Sequence, residues 1–279
     1  MVNILTERIN LAVDIGFNMY VFGGGSPCIV LMSGGTKSDG CGIATLRKLV
    51  KELKDLSVQG TIKIIPQVNE YSSVFDINKC LKNRVKISSP LCRLIDRVLE
   101  IIANQCMVIE IVCRPGFIPY IVVSPYKPLD DELQRLVKSI PIDIVVKYEL
   151  KSLGFKLAEN NCKAITIVGR GGKTFDLNDV EHLYDVLLNA LTNLGFMKRK
   201  TRSKSVEQKI FSSYNLIKCT SRGLFIPMVH AGSNIESGST IGTLDDIEIK
   251  AQHDGVALYV SRPKLCDMNE TVCVIVSQA

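Results

Sequence analysis

The chain has 279 residues, 46% hydrophobic and 22% charged, with 34 Lys and Arg against 28 Asp and Glu and a formal net charge of +6. That composition supports a sizeable core in one large domain or two modest ones, excludes a disordered polymer, and is too mildly basic to predict nucleic-acid binding. Only 3 His are present and none precedes His182, which excludes a His-ligated metal site or His general base built from the N-terminal two-thirds alone.

In chain order, apolar runs at Met19–Phe22 and Cys28–Met32 flank Gly23-Gly24-Gly25-Ser26-Pro27, the pattern of strand, turn, strand. Ser33-Gly34-Gly35-Thr36 ends the second run. Ile43, Leu46, Leu49, Val50, Leu53 and Leu56 then fall at helical spacing over Gly42–Leu56, and a strand follows at Thr61–Ile65. Strand, Gly-rich loop, helix and strand together predict a βαβ unit with a parallel pair. Helices are predicted over Pro90–Ala103, Leu129–Ser139, Leu153–Asn160 and Asp179–Leu194. Strands are predicted at Met107–Val112, Tyr120–Val123, Ile142–Val146 and Ala164–Val168.

Lys198–Lys204 (KRKTRSK) is a basic run expected to be a solvated linker. Beyond it, short strands at Tyr214–Cys219, Gly223–Pro227, Ile235–Ile241, Ile247–Ala251, Gly255–Val260 and Thr271–Val276 predict a small all-β barrel or sandwich. The expected division is an α/β domain over 1–200 and a β domain over 205–279.

The 10 Cys include no CxxC pair, which argues against a zinc ribbon or thioredoxin-type site. The N-terminus lacks signal-peptide features, and no apolar run reaches membrane-spanning length. The expected compartment is the cytoplasm, with no membrane partner and with mostly reduced, buried Cys; disulfides there stay open for a hyperthermophile source.

Gly34–Gly42 (GGTKSDGCG) lies between a strand and a helix, where backbone N–H groups favour anions. It is neither GxGxxG nor a Walker loop. His182, His230 and His253 have no spaced partners and read as surface or capping residues. Lys250 and Lys264 lack the hairpin of a lipoyl or biotin carrier.

The ordered series GGGSP, IVLMSGGTKSDGCGIATLRKL, QGTIKIIPQVN and DINK resembles the succinylglutamate desuccinylase/aspartoacylase family. So do PYIVVSP, SLGFKLAENNCKAITIVGRGG, DVEHLYDVLLNALTNLGFM and GLFIPMVHAGSNIESGSTIGTL. The resemblance covers most of the chain. It implies a zinc carboxypeptidase-like fold, with a mixed sheet flanked by helices and a small β domain after it, and a zinc-dependent deacylase of N-acyl amino acids.

The catalytic positions do not carry over. Against the family's G-G-x-H-G-D-E, Lys37 stands where a His ligand would be and Gly40 where a Glu ligand would be. Val112 replaces the His that ends the family's D-x-H strand. The proton-transferring Glu falls at Ile167 counting back from Gly169, or at Val168 counting forward from Thr166. Lysine is a cation, and Gly and Val offer no donor, so a zinc with an activated water has nothing to hold it. The expectation is a degenerate protein with no catalytic residues, no metal ligands and no cofactor. A binding or regulatory role would remain, with a small anionic ligand, a second copy or an active paralogue as partner. The competing reading is an active amide or ester hydrolase with an altered metal site.

An anion site is expected from Lys37, Asn78, Lys79 and Arg84. Lys79 takes the place of the family's carboxylate-binding Arg, keeping the charge without the planar fork. Arg114 and Arg170 are further cations near strand ends. A replacement zinc site from Cys41 and Cys113, with Asp39 and Glu110 close by, is weighed against buried core thiols, and the core reading is preferred because each Cys lies one residue off the ligand position.

Overall fold

The unbroken apolar runs become the middle of a nine-stranded mixed sheet. The computed structural model describes residues 4–12, 15–70, 99–102, 106–198 and 206–278. The sheet's strands are β1 (Ile4–Ala12), β2 (Ile15–Gly24), β3 (Cys28–Met32), β4 (Gly60–Ile65), β5 (Met107–Arg114), β6 (Tyr120–Val123), β7 (Ile144–Lys147), β8 (Ala164–Arg170) and β9 (Lys209–Phe211), in the order β1-β2-β4-β3-β5-β8-β6-β7-β9. β3 is parallel to β4 and β5, and β5 is parallel to β8. The antiparallel pairs are β1–β2, β2–β4 and β6–β8. Strands covered on both faces have no reason to alternate, which is why β3, β5 and β8 are apolar along almost their whole length.

Helices α1 (Gly40–Leu53), α2 (Asp131–Lys138) and α4 (Leu177–Asn193) cover one face. Leu46 and Leu49 of α1 and Leu183, Leu187 and Leu191 of α4 share a buried cluster with Ile29, Leu31, Ile109, Ile111 and Ile167. Each such side chain contributes roughly 1.5–3 kcal/mol by leaving water. Asp176 opens α4 through a capping box with Asp179. The other face is divided. Helix α3 (Leu153–Glu159) packs Leu153 and Leu157 against Val30, Met32 and Val108. Farther along, Tyr120, Val122 and Val168 meet Leu258, Val274 and Val276 of the C-terminal strands.

Those strands are β10 (Ser213–Lys218), β11 (Gly223–Pro227), β12 (Asn234–Ile235), β13 (Thr240–Leu244), β14 (Ile247–Lys250), β15 (Gly255–Val260), β16 (Lys264–Cys266) and β17 (Thr271–Ser277). They form two four-stranded antiparallel sheets, β10-β17-β15-β12 and β14-β13-β11-β16. Ile241 from one sheet and Ala251, just past the end of β14, pack with Ala257, Cys273 and Ile275 from the other.

The α/β fold, the parallel β3–β4 pair and the β-rich C-terminal part match expectation. Several points differ. β1, the first residues of β2 and β16 are strands that the sequence pattern does not predict. The expected strand Ile235–Ile241 is two strands, β12 and β13, separated by a turn in which Gly238 has φ +82. β9 extends the large sheet beside β7. Cys28 and Cys106, expected among reduced thiols, are joined in a disulfide; Cys41, Cys113, Cys162, Cys219, Cys266 and Cys273 are free and buried. Most of the expected helix Pro90–Ala103 and of the basic run after Lys198 lies outside the described residues, though 99–102 is helical. Among the described residues no helix is long and apolar enough to cross a membrane.

Candidate functional site

At the carboxyl ends of β3 and β5 the chain leaves a cleft of about 220 Å³, lined by Lys37, Asp39, Glu110, Val112, Arg114 and Lys151 among others. Parallel α/β sheets place their ligand crevices at this end, where strands give way to loops. Two buried carboxyls build its floor.

Asp39 precedes α1 but does not cap it. Its Oδ2 accepts the Thr36 N–H at 2.7 Å and the Thr36 hydroxyl at 3.0 Å, and its Oδ1 accepts the Cys113 N–H at 3.1 Å. The carboxyl thus ties the 36–39 turn to the end of β5. Burial pushes its pKa up to about 6, against the hydrogen bonds from Thr36 and Cys113, and the nearby Glu110 adds to the rise.

Glu110 is the single polar residue within an apolar stretch of β5. Its carboxylate accepts N–H bonds from Leu153 at 3.1 Å and Gly154 at 2.9 Å, and the Thr166 hydroxyl at 3.0 Å. Thr166 sits opposite it in register on β8. Burial raises the Glu110 pKa, while these donors and Ser152 oppose the rise. Gly154 has to be glycine, because a Cβ there would lie 2.8 Å from Glu110 Oε2 and 2.9 Å from Glu110 Cβ.

The three cations of the cleft differ in restraint. Arg114 donates to the Tyr214 hydroxyl at 3.2 Å and lies over the Phe117 ring at 5.5 Å. Lys37 is exposed. Neither of these, nor Lys151, forms an ion pair among the described residues.

Lys37 and Val112 therefore do come together in one cleft. Gly40, at the start of α1, points elsewhere: a Cβ there would meet the Gly172 carbonyl oxygen at 2.9 Å and the Phe175 ring at 3.1 Å. The space a longer side chain would need is filled. Ile167 is not brought to the cleft. It lies in the core under the helices, and it is Val168 that pairs with Val112. Asn78, Lys79 and Arg84 lie outside the described residues. Arg170 is exposed and sits opposite Arg114 in register.

Cys41 and Cys113 are core thiols. Both are buried, Cys41 in the first turn of α1 and Cys113 on β5, and the Gly42 N–H donates to Cys113 Sγ at 3.1 Å. Contact with the Cys41 thiol, together with burial, pushes the Cys113 thiol well above its ordinary range. Among the described residues no group of three or more His, Cys, Asp or Glu could hold a metal ion. The residues at the expected ligand positions do not fit a zinc ion: one is a cation, one has no side chain and one is an alkyl group. Asp39 and Glu110, read from the sequence as helpers of such a site, serve as structural ties. Lys151, Ser152, Thr166 and Phe175 stand at no catalytic or ligand-binding motif position in the sequence. The visible signal was the lone polar residue in each of the strands MVIEIV and AITIV.

No family model matches the sequence, and no curated protein matches it. Solved structures do. A succinylglutamate desuccinylase/aspartoacylase from Rhodobacter sphaeroides superposes with a TM-score of 0.79 at 14% identity, covering 100% of this chain and 96% of that one. An aspartoacylase family protein from Mesorhizobium loti gives 0.76 at 17% identity, covering 100% and 95%. The apo ectoine utilization protein EutE (DoeB) from Ruegeria pomeroyi gives 0.75 at 17%, covering 94% and 90%. The chain has the aspartoacylase/succinylglutamate desuccinylase fold. Within that fold the cleft occupies the carboxyl end of the parallel strands, and its walls here are two buried carboxyls, three cations and the Val112 side chain.

Proposed function

We propose that this protein is a degenerate relative of the deacylases whose fold it shares, without zinc-dependent hydrolysis, and that it binds a small anionic ligand in the carboxyl-end cleft. The observation that carries the reading is the joint presence of Lys37 and Val112 in the cleft with the closed space beyond Gly40. Lys37 and Lys151 supply positive charge, and Arg114, held by Tyr214, supplies a fixed donor pair. The volume of about 220 Å³ falls below the roughly 300 Å³ of common small-molecule sites, which favours a ligand of few atoms. Asp39 and Glu110 hold the loops in place rather than move protons, since their acceptor sites are occupied by protein donors. A regulatory role, alone or beside an active paralogue, follows from ligand binding without turnover.

The test is calorimetric titration of the purified protein with succinate and with inorganic phosphate, alongside metal analysis. One anion site per chain is expected, weakened at least tenfold in the Lys37→Ala/Lys151→Ala double variant and weakened by salt. Stoichiometric zinc that disappears in Cys41→Ser or Cys113→Ser, accompanied by release of free amine from N-acyl amino acids, would overturn the reading in favour of an active hydrolase with an altered metal site.

A further inference from the structure

The same parallel strands carry a second cavity at their amino ends, of about 460 Å³, lined by Cys28, Cys106 and Cys162 together with Arg135, Lys163 and Glu132. Ile29 of β3 pairs with Met107 of β5, and Val108 of β5 pairs with Ala164 of β8. Cys28 begins β3, Cys106 immediately precedes β5 and Cys162 lies two residues before β8, so all three stand at the amino ends of three neighbouring strands around the cavity. Cys28 and Cys106 are bonded, with Cα atoms 4.6 Å apart. Cys162 is free and 9% exposed, in the same apolar cluster that Cys106 packs against. The disulfide itself is half-buried, so it faces a cavity rather than sitting sealed in the core.

We propose that these three residues form a thiol–disulfide exchange site in which Cys106 alternates between two partners and low-molecular-weight thiols enter through the cavity. In the internal step the Cys162 thiolate attacks Cys106 Sγ. The Cys106–Cys162 bond forms as the Cys28–Cys106 bond breaks, and the electron pair leaves on Cys28 Sγ, which takes up the proton that Cys162 released. No net oxidation occurs. In the external step a small thiolate attacks the protein disulfide to give a mixed disulfide and one protein thiolate. A second small thiolate then attacks the small-molecule sulfur of the mixed disulfide and expels the second protein thiolate, whereas attack by the neighbouring protein thiolate on the protein sulfur releases the small thiol and re-forms a protein disulfide with no net oxidation. Two small thiols are oxidised to their disulfide for each protein disulfide reduced to two thiols.

The surroundings suit this chemistry. Lys163 is ion-paired with Asp130 and Glu132. Arg135, which donates to the Leu194 carbonyl at 3.3 Å, has no ion pair among the described residues. A guanidinium at the rim favours both a protein thiolate and the carboxylates of an incoming thiol. The site lies at the opposite end of the strands from the anion cleft and is independent of the reading given for it.

The test uses glutathione and its disulfide as probes, with thiols quenched by maleimide and disulfide-linked peptides mapped by mass spectrometry. Oxidised Cys28→Ser is expected to carry a Cys106–Cys162 link, and Cys106→Ser is expected to carry neither link. In wild-type protein partly reduced by millimolar glutathione, both the Cys28–Cys106 and the Cys106–Cys162 peptides are expected, with no substitution to perturb folding. Cys162→Ser is expected to accumulate a glutathione adduct that wild type resolves. If wild type never yields the Cys106–Cys162 peptide and oxidised Cys28→Ser returns both residues as maleimide adducts, the exchange site does not exist.

Discussion

The two ends of β3, β5 and β8 make opposite use of the same three strands. At the carboxyl end, the loop after β3 and the tip of β5 line a cleft with Lys37 and Val112, and the Phe175 ring fills the space beyond Gly40. At the amino end no motif is present, yet strand order brings three cysteines to the lining of one cavity. The contrast teaches that a fold's customary site and its reactive groups need not coincide. Strand order and register decide which residues can meet, and side-chain chemistry decides what the meeting can do.

The largest effect expected from breaking this contrast is at the amino end. The Cys28–Cys106 bond closes a loop with a sequence separation of 78, for which restriction of the unfolded chain corresponds to about 4 kcal/mol. The Cys28→Ser/Cys162→Ser double variant should lose most of that in denaturant unfolding under oxidising conditions. Cys28→Ser alone should lose clearly less, because Cys106–Cys162 can close a loop in its place. Equal losses would separate the stabilising role of the bond from the exchange role.

At the carboxyl end the largest loss should come from Glu110. Replacing it with Leu leaves the Leu153 and Gly154 N–H groups and the Thr166 hydroxyl without their acceptor, a cost of about 3 kcal/mol or more. Glu110→Gln keeps one acceptor oxygen and should lose about half as much. Thermal unfolding at fixed pH reads both.

Asp39 gives a pH signature of related size. Its pKa is raised in the folded state from 3.8 to about 6, so the native protein holds this proton more tightly than the unfolded chain. The contribution is fully present below about pH 4 and is lost as pH rises through 6, amounting to roughly 3 kcal/mol at most. Glu110, raised in the same direction, adds to the decline. Wild type should therefore fall in stability between pH 4 and 7 more steeply than Asp39→Asn, with urea midpoints as the measurement. A parallel pH profile for the two proteins would place the titration elsewhere.

Much of this architecture could be read from the residues. The runs at Cys28–Met32, Tyr120–Val123, Gly223–Pro227 and Gly255–Val260 are strands with the expected ends, because each is bounded by turn residues. β9 and β16 are too short, at three residues each, to carry a period, and in β1 the polar run Thr6-Glu7-Arg8 breaks the apolar pattern of a strand. β12 and β13 were merged because the apolar residues Ile235 and Ile241 flank a turn whose bend depends on Gly238. The replacements at Lys37, Gly40 and Val112 were legible as motif positions. Their surroundings were not: Phe175 arrives from the loop before α4, and the Glu110–Thr166 contact requires the β5–β8 register. The choice between Ile167 and Val168 turned on a one-residue offset, and in a strand one residue changes the face.

The smallest expected effect tests whether the carboxyl end is merely stripped or also closed. Gly40→Ala gains helix propensity of about 1 kcal/mol. Its Cβ would also stand 2.9 Å from the Gly172 carbonyl oxygen and 3.1 Å from the Phe175 ring, and crowding of that kind costs about 1–3 kcal/mol. The net change should be a loss of about 1 kcal/mol, partly recovered when Phe175→Ala is added, since the ring can be removed and the backbone oxygen cannot. The same geometry predicts that Lys37→His/Gly40→Glu/Val112→His, which writes back the three ligand types, binds no stoichiometric zinc by metal analysis unless Phe175 is also reduced in size. If the triple variant takes up one zinc per chain with Phe175 intact, the ring yields to a ligand. The difference between the two ends would then lie in residue identity alone, with the space for a metal still present.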